Sequence, residues 1–249
     1  MILLLPVQGL PEAVPGSPLG SWIVSALKRG GQTLQPGDIL VVAQKFVSKA
    51  EGRLVRLADV TPSEFALRIA AGMGGRDARV VEVVLRESKR IVRMDHGVLI
   101  AETTHGFVCA NAGVDLSNVD GGASVSLLPV DPDESARRLA EEIRAATGCT
   151  VSVIVSDTFG RAWREGLVDV AIGLSGFAAA SDCRGQVDSH GHPLQATILA
   201  DADQLAAAAG LVFRKTAQVP VCLIRGFRVV PGEGSARDLV RDPARDLFR

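Results

Sequence analysis

Lys45 and Lys49 stand just past an apolar run, Ile39-Leu40-Val41-Val42-Ala43, in a chain where only five of the 27 basic residues are lysines. Compact ammonium groups aimed over a strand end suit phosphate as counter-ion; a solvated lysine pair is the plain alternative. Asp115 and Asn118 follow the apolar run Gly106 to Ala110 in a polar loop. They offer hard oxygen donors of the kind Mg²⁺ or Mn²⁺ takes, or else build an Asx turn. Asp157 and Thr158 repeat the arrangement after Val151-Ser152-Val153-Ile154-Val155. Two carboxylates about 4 Å apart repel by about 4 kcal/mol at an effective dielectric near 20, so their proximity would demand a cation or a raised pKa.

Gly160-Arg161-Ala162-Trp163-Arg164 comes next. Its guanidinium forks fit carboxylates or phosphates, and an exposed indole fits a flat ring, so the segment is a candidate pocket for an anionic, ring-bearing substrate. A surface loop around a core Trp is the bland reading. Two further patterns mislead. Arg214-Lys215-Thr216 ends like a phosphate-binding loop but lacks its glycines and follows a helical stretch. His190-Gly191-His192, near Cys183 and Asp188, has none of the usual zinc spacings and reads as a polar loop.

The elements that must position these groups alternate between strand and helix signals. Strand runs fall near 1–5, 39–43, 97–101, 106–110, 151–155 and 220–224. Helices open at Ser17-Pro18, at the capping box Thr61-Pro62-Ser63-Glu64 (running to about Gly72), at the box Asp131-Pro132-Asp133-Glu134 (running to Gly148), and at Asp203 (running to Phe213). Asp157 and Thr158 are then expected at the carboxyl end of a strand, where ligand sites of mixed sheets lie. The pattern is α/β or α+β. With no repeat, low-complexity tract or linker, residues 1–249 are expected to form one domain or two interwoven lobes.

Composition removes other classes. The chain has 249 residues, 47% of them hydrophobic, enough to bury a sizeable core. A net charge of -1 gives no positive field for nucleic acid. The apolar opening Met1 to Leu5 has no preceding positive charge and is cut by Pro6, and no run of about 18 uncharged apolar residues follows, so no membrane span is expected. Cys109, Cys149, Cys183 and Cys222 show no CxxC spacing and are expected as buried thiols in a reducing cytoplasm.

Five segments together resemble one family, the coenzyme F420-0:L-glutamate ligases, GTP-dependent γ-glutamyl ligases that build the glutamate tail of a deazaflavin coenzyme. They are Gly9-Leu10-Pro11-Glu12, Val47 to Arg53, Leu85-Arg86-Glu87-Ser88, His105 to Asp115 with Ser117-Asn118, and Ser156 to Arg164. The resemblance implies an α+β fold with mixed sheets and an intertwined homodimer. It implies that GTP contacts Leu10, Pro11, Glu12, Ala13, Gln44, Lys45, Lys49 and Asn118, with the 213–220 loop over it. It implies one divalent cation, Mg²⁺ or Mn²⁺, on Asp115 and Asp157 and a second on Thr158, with K⁺ as an accompanying monovalent ion. The nitroreductase-like domain that follows in some bacterial relatives is not expected here. Lys215 stands where relatives commonly place a Gln that holds the second metal, and a protonated lysine cannot ligate a cation; Lys215 is expected on the phosphates instead. The Thr197 to Gln204 stretch also departs from the family, with Ile198 and Gln204 where acidic groups often stand.

The reaction so implied is activation of a substrate carboxylate by GTP followed by attack of the amine of L-glutamate on F420-0. Positioning and charge neutralisation carry such chemistry, which gives Lys49 a phosphate role and Arg161 and Arg164 the substrate anions. A two-metal phosphoester hydrolase would use the same aspartates, and a deazaflavin or nucleotide carrier would bind without turnover or a metal requirement.

Overall fold

In a computed structural model, residues 1–116, 120–214 and 218–246 are described. The chain runs β1 (Leu3–Pro6), α1 (Leu19–Arg29), β2 (Ile39–Ala43), α2 (Gln44–Ala50), β3 (Leu54–Arg56), α3 (Glu64–Gly72), α4 (Ala78–Arg86), β4 (Ser88–Asp95), β5 (Val98–Thr103), β6 (Val108–Ala110), β7 (Ser124–Ser126), α5 (Pro132–Thr147), β8 (Ser152–Arg161), β9 (Arg164–Ser175), β10 (Ser181–Asp182), β11 (Ile198–Leu199), α6 (Asp201–Phe213) and β12 (Val221–Arg225). This is a mixed α+β architecture. No helix among the described residues is long and apolar enough to cross a membrane.

The main sheet has the order β1-β12-β2-β8-β9, with β2 and β8 parallel and the other neighbours antiparallel. Its centre is β2, whose first four residues are buried apolar side chains; a continuous apolar run suits a strand covered on both faces. Helix α5 lies on β8 and β9 beside α1, and α6 packs on β9, β1 and β12. A second apolar cluster, drawn from Leu57 to Leu127, is built separately by α3, α4, β5 and β7 with the smaller sheets β4-β5-β6 and β3-β7. The chain therefore makes two cores. It leaves the first at the end of α2 and returns to it at Leu128, with Phe107 alone of the intervening buried residues reaching back into it.

Helix ends show how local chemistry sets the frame. Asp131 caps α5 by accepting from the Glu134 N–H (3.0 Å), Pro132 occupies the first turn, and Gly148 closes the helix in the left-handed conformation at φ 74°. Elsewhere the expected boundaries move. The cap of α3 is Ser63, not Thr61: its hydroxyl accepts from the Ala66 N–H, and its own N–H and hydroxyl are tied to the Glu82 carboxylate. Ser17 does not cap α1; it accepts from the Val14 N–H, and Pro18 occupies the cap position without a side-chain bond. Cys109 and Cys222 are buried as expected, whereas Cys149 and Cys183 are only partly covered.

The largest revision concerns β8. It does not stop at Val155 but continues to Arg161, because β9 pairs with it through Thr158↔Asp169 and on to Arg161↔Arg164. Asp157 and Thr158 are consequently mid-strand. Lys45 and Lys49, just past β2 as expected, lie on the helix α2.

Candidate active site at the junction of the two lobes

Helix α2 starts directly where β2 ends, so its residues sit over the end of the sheet. Lys45 and Lys49 are one helical turn apart and share a face. Like charges at that spacing destabilise a helix by a few tenths of a kcal/mol, and here each lysine is met by a carboxylate from elsewhere. The Lys45 Nζ lies 2.7 Å from the Asp115 Oδ2, and the buried Lys49 is paired with Glu12, which is mostly exposed. Gln44 is buried on the same helix and accepts from the Ser48 hydroxyl at 2.9 Å.

Asp115 comes from the other lobe. It is delivered by a turn in which Asn111, Ala112 and Gly113 take φ of 55°, 52° and 73° in succession. Left-handed backbone costs about 1–2 kcal/mol per non-glycine residue, so this turn is held in place by its surroundings. Gly113 is required on two grounds, its φ and a Cβ that would come within 2.6 Å of the Leu128 side chain. Two hydrogen bonds between Asp115 and Ser126, 3.0 and 2.9 Å, then pin the backbone.

Asp157 and Thr158 are neighbours on β8, so their side chains point to opposite faces of the strand. The residue keeps some solvent contact, but the Asp157 carboxyl itself is densely surrounded, and this burial pushes its pKa up to about 7; Asp115 and Asp169 raise it further, while the Thr158 backbone N–H and Lys45 pull the other way. Cys109 lies close enough to Asp157 to feel its charge, and burial first, then that charge, lift the thiol to about 12. It is not a nucleophile at neutral pH. On the other face Thr158 donates its hydroxyl to the Asp169 Oδ1 at 2.7 Å.

Three buried side-chain polar atoms among the described residues have no hydrogen-bond partner: the His105 Nδ1, the Asn111 Oδ1 and the Ser156 Oγ. Ser156 precedes Asp157, and Asn111 lies in the turn that leads to Asp115. Orphaned groups of this kind are rare and mark places where water, an ion or a ligand completes the set. No group of three His, Cys, Asp or Glu among the described residues is arranged to hold a metal. Two carboxylates, the Asp157 one with a raised pKa, a hydroxyl and two lysines nevertheless fit the way Mg²⁺ is usually held, by one or two carboxylates and by the oxygens of a substrate phosphate.

Of the other expected residues, Ala13 is buried, Leu10 is half-buried against the main core, and Pro11 and Glu12 are exposed. Asn118 and Lys215 lie outside the described residues. Arg161 and Arg164 face each other across the β8–β9 hairpin, four residues along β8 from Asp157 in the case of Arg161, about 13 Å at the usual rise per residue. They are therefore not among the carboxylates. Trp163, at φ 57° and 79% exposed, forms the tip between them. Of the candidate zinc residues, Asp188, His190 and His192 form a turn in which Asp188 accepts from the backbone N–H of His190 and His192 at 2.8 and 2.9 Å, while Cys183 lies apart beside β10. A cavity of about 380 Å³ opens between α1, α2 and α5, but its Glu51, Ser135 and Arg138 satisfy one another and it contains none of the lysines or aspartates above. Asp169 had no signal in the sequence reading, since β9 itself was not read there.

This arrangement defines a class: an α+β protein in which lysines and carboxylates are gathered where two lobes meet. Comparison with known proteins narrows it. Residues 9–226 match the model of the F420-0:gamma-glutamyl ligase family. The chain is 44% identical to the coenzyme F420:L-glutamate ligase of Methanothermobacter thermautotrophicus, covering all of this chain and 99% of the relative. It is 43% identical to the protein of that name from Methanocaldococcus jannaschii, over 87% of this chain and 86% of the relative, and 44% identical to that of Methanopyrus kandleri, over 94% and 92%. The chain belongs to the F420-0:gamma-glutamyl ligase family.

Proposed function

We propose that this chain ligates L-glutamate to the deazaflavin coenzyme F420-0 at the expense of GTP, adding the first glutamate and then further γ-linked ones. The observation that carries the reading is the meeting of Lys45 with Asp115 and Asp157 at the lobe junction, with Lys49 one helical turn away on the same face of α2, in a chain whose relatives are named for this ligation. In the first step an oxygen of the acceptor's terminal carboxylate bonds to the γ-phosphorus, the bond to the β-phosphate oxygen breaks, and GDP leaves. In the second the glutamate amine, its proton lost to water, attacks the acyl carbon and inorganic phosphate leaves.

Each residue has a part. Lys49 exchanges Glu12 for a phosphate oxygen, which the exposed Glu12 side chain is free to permit. Lys45 serves the same phosphates from one turn away. Leu10, Pro11, Ala13, Gln44 and Asn118 frame the nucleotide, and Lys215 adds charge to its phosphates. Mg²⁺ or Mn²⁺ bound by Asp115 and Asp157 would offset the charge of the β- and γ-phosphates; a second ion would be held at Thr158, which points to the opposite face of β8 and so suits a separate ion. Arg161 and Arg164 hold the phosphodiester and the carboxylate of the acceptor, with Trp163 offered to its ring. A homodimer, K⁺ as a further ion and a single folding unit over 1–249 complete the proposal.

Incubation of the protein with F420-0, GTP, Mn²⁺ and L-glutamate, followed by mass spectrometry, tests it. The coenzyme should gain the mass of one or more glutamyl residues, with one GDP per bond. Phosphate release from GTP at full rate without glutamate would identify a hydrolase instead. Tight binding of F420-0 without any turnover would identify a carrier.

A further inference from the structure

We propose that Asp169 is the positioning residue of Thr158: it takes the hydroxyl proton and thereby leaves the Thr158 oxygen with both lone pairs open to a cation. The proposal rests on the reading of Thr158 as a ligand of the second ion. An ionised carboxylate only accepts, so in the 2.7 Å contact the hydroxyl must donate. A hydroxyl has one proton and two lone pairs. With the proton committed to Asp169, Thr158 cannot use it on a phosphate or a water, and its oxygen presents only negative charge. Without Asp169 the hydroxyl rotates and becomes a donor to whatever anion lies nearest.

The fold is built around this contact. Asp169 stands directly opposite Thr158 in the β8–β9 register, so the two side chains share a face and a neighbouring position. The other carboxylate oxygen is lodged against Gly210 of α6, where a Cβ would come within 2.1 Å of the Asp169 Oδ2. Gly210 does not have a positive φ, and a glycine inside a helix is otherwise a weak choice. Its use here is the space it leaves. Asp169 is short and pinned at its other oxygen, so a methyl group at 210 would push the carboxylate off the hydroxyl.

The experiment is a titration of Mn²⁺ followed by the resonance of the free ion, with a non-hydrolysable GTP analogue present, on wild type, D169A, D169N, T158A, G210A and the double variant D169A/T158A. The weaker of two Mn²⁺ ions should bind about ten-fold less tightly in D169A and in T158A, the scale of one hydrogen bond to a charged group, while the tighter ion stays within about two-fold. The double variant should be no weaker than T158A, because Asp169 acts through Thr158. D169N keeps an acceptor oxygen and should fall between wild type and D169A. G210A should also weaken the second ion while its melting temperature holds or rises, a combination that general loosening of the fold does not produce. Additive losses in the double variant, or unchanged Mn²⁺ binding in D169N and G210A, would overturn the proposal. A loss in D169A with no loss in T158A would instead show that Thr158 is not a cation ligand, and the proposal would fall with that reading.

Discussion

Asp157→Asn separates what the junction costs the fold from what it gives the chemistry. Folding moves the Asp157 carboxyl from an ordinary 3.8 to about 7, chiefly by burial and then by the charges of Asp115 and Asp169. At about 1.4 kcal/mol per pKa unit the shift corresponds to about 4 kcal/mol at most; some solvent contact remains and screens it, and an amide NH₂ would lack partners, so about 2 kcal/mol is the working figure. The sign follows from which form the folded state prefers. It prefers the protonated acid, so this group's contribution is intact below pH 3.8 and is lost as pH rises through about 7. At pH 8 the wild type carries the whole penalty and the amide carries none. For a chain of this size about 2 kcal/mol is roughly 4 to 8 °C in Tm. Scanning calorimetry in chelator from pH 5 to 8.5 should therefore show Asp157→Asn melting above wild type at pH 8, with the gap closing toward pH 5. Mn²⁺ with GTP should raise the wild type and leave the variant nearly unmoved, and ligation should be abolished. A gap that does not change with pH, or a variant less stable at pH 8, would refute the reasoning.

Lys49→Ala should raise KM for GTP and lower kcat while KM for glutamate stays nearly unchanged, and Lys49→Arg should rescue only in part because a planar fork is not a compact ammonium; an effect confined to KM for glutamate or the deazaflavin would move Lys49 to the acceptor side. Cys183→Ser combined with His192→Ala should leave ligation within a few-fold, since His192 lies in a polar turn and Cys183 is a partly covered thiol just past β10; stoichiometric zinc lost together with activity in that variant would count against this. Arg225→Met should lower stability by about 3–5 kcal/mol, because Arg225 forks onto the buried Asp38 at 2.8 and 2.7 Å and its loss strands that carboxylate; denaturant unfolding with a loss below about 1 kcal/mol would show that Asp38 finds another partner.

What the sequence made legible is what local rules determine. The β2 run, with its buried apolar side chains, and the Asp131 cap of α5 were readable because burial and capping act within a few residues. The Thr61 box was misread because only Thr61 has a Glu three places on, so the pattern names it, while Ser63, an equally good cap residue, is the one held by the Glu82 carboxylate from another helix. One domain and two interwoven lobes stay alternatives in the sequence because the apolar residues of the second core arrive in short pieces, from α3, α4, β5 and β7, with no compositional break around them.

The site residues were harder to place for a related reason. Turn chemistry ordinarily announces a hairpin with Asn-Gly or Asp-Gly, but β8 and β9 are joined through Ala162 and Trp163, with Trp163 itself in the left-handed region. The extension of β8 through Asp157, and with it Asp169, was thereby hidden. The same holds for Asn111 and Ala112, two non-glycine residues in left-handed backbone ahead of Asp115, and for two lysines of like charge one turn apart on α2. Each breaks a local rule at a cost of its own; the turn ahead of Asp115 and the lysine pair lie at the lobe junction, and the hairpin extends the strand that carries Asp157. Local reading fails where tertiary contacts outweigh propensity, and those contacts are densest in conflict where a charged ligand must be received. At this junction the left-handed turn and the like charges of α2 surround a small set of side chains, Lys45, Lys49, Asp115 and Asp157.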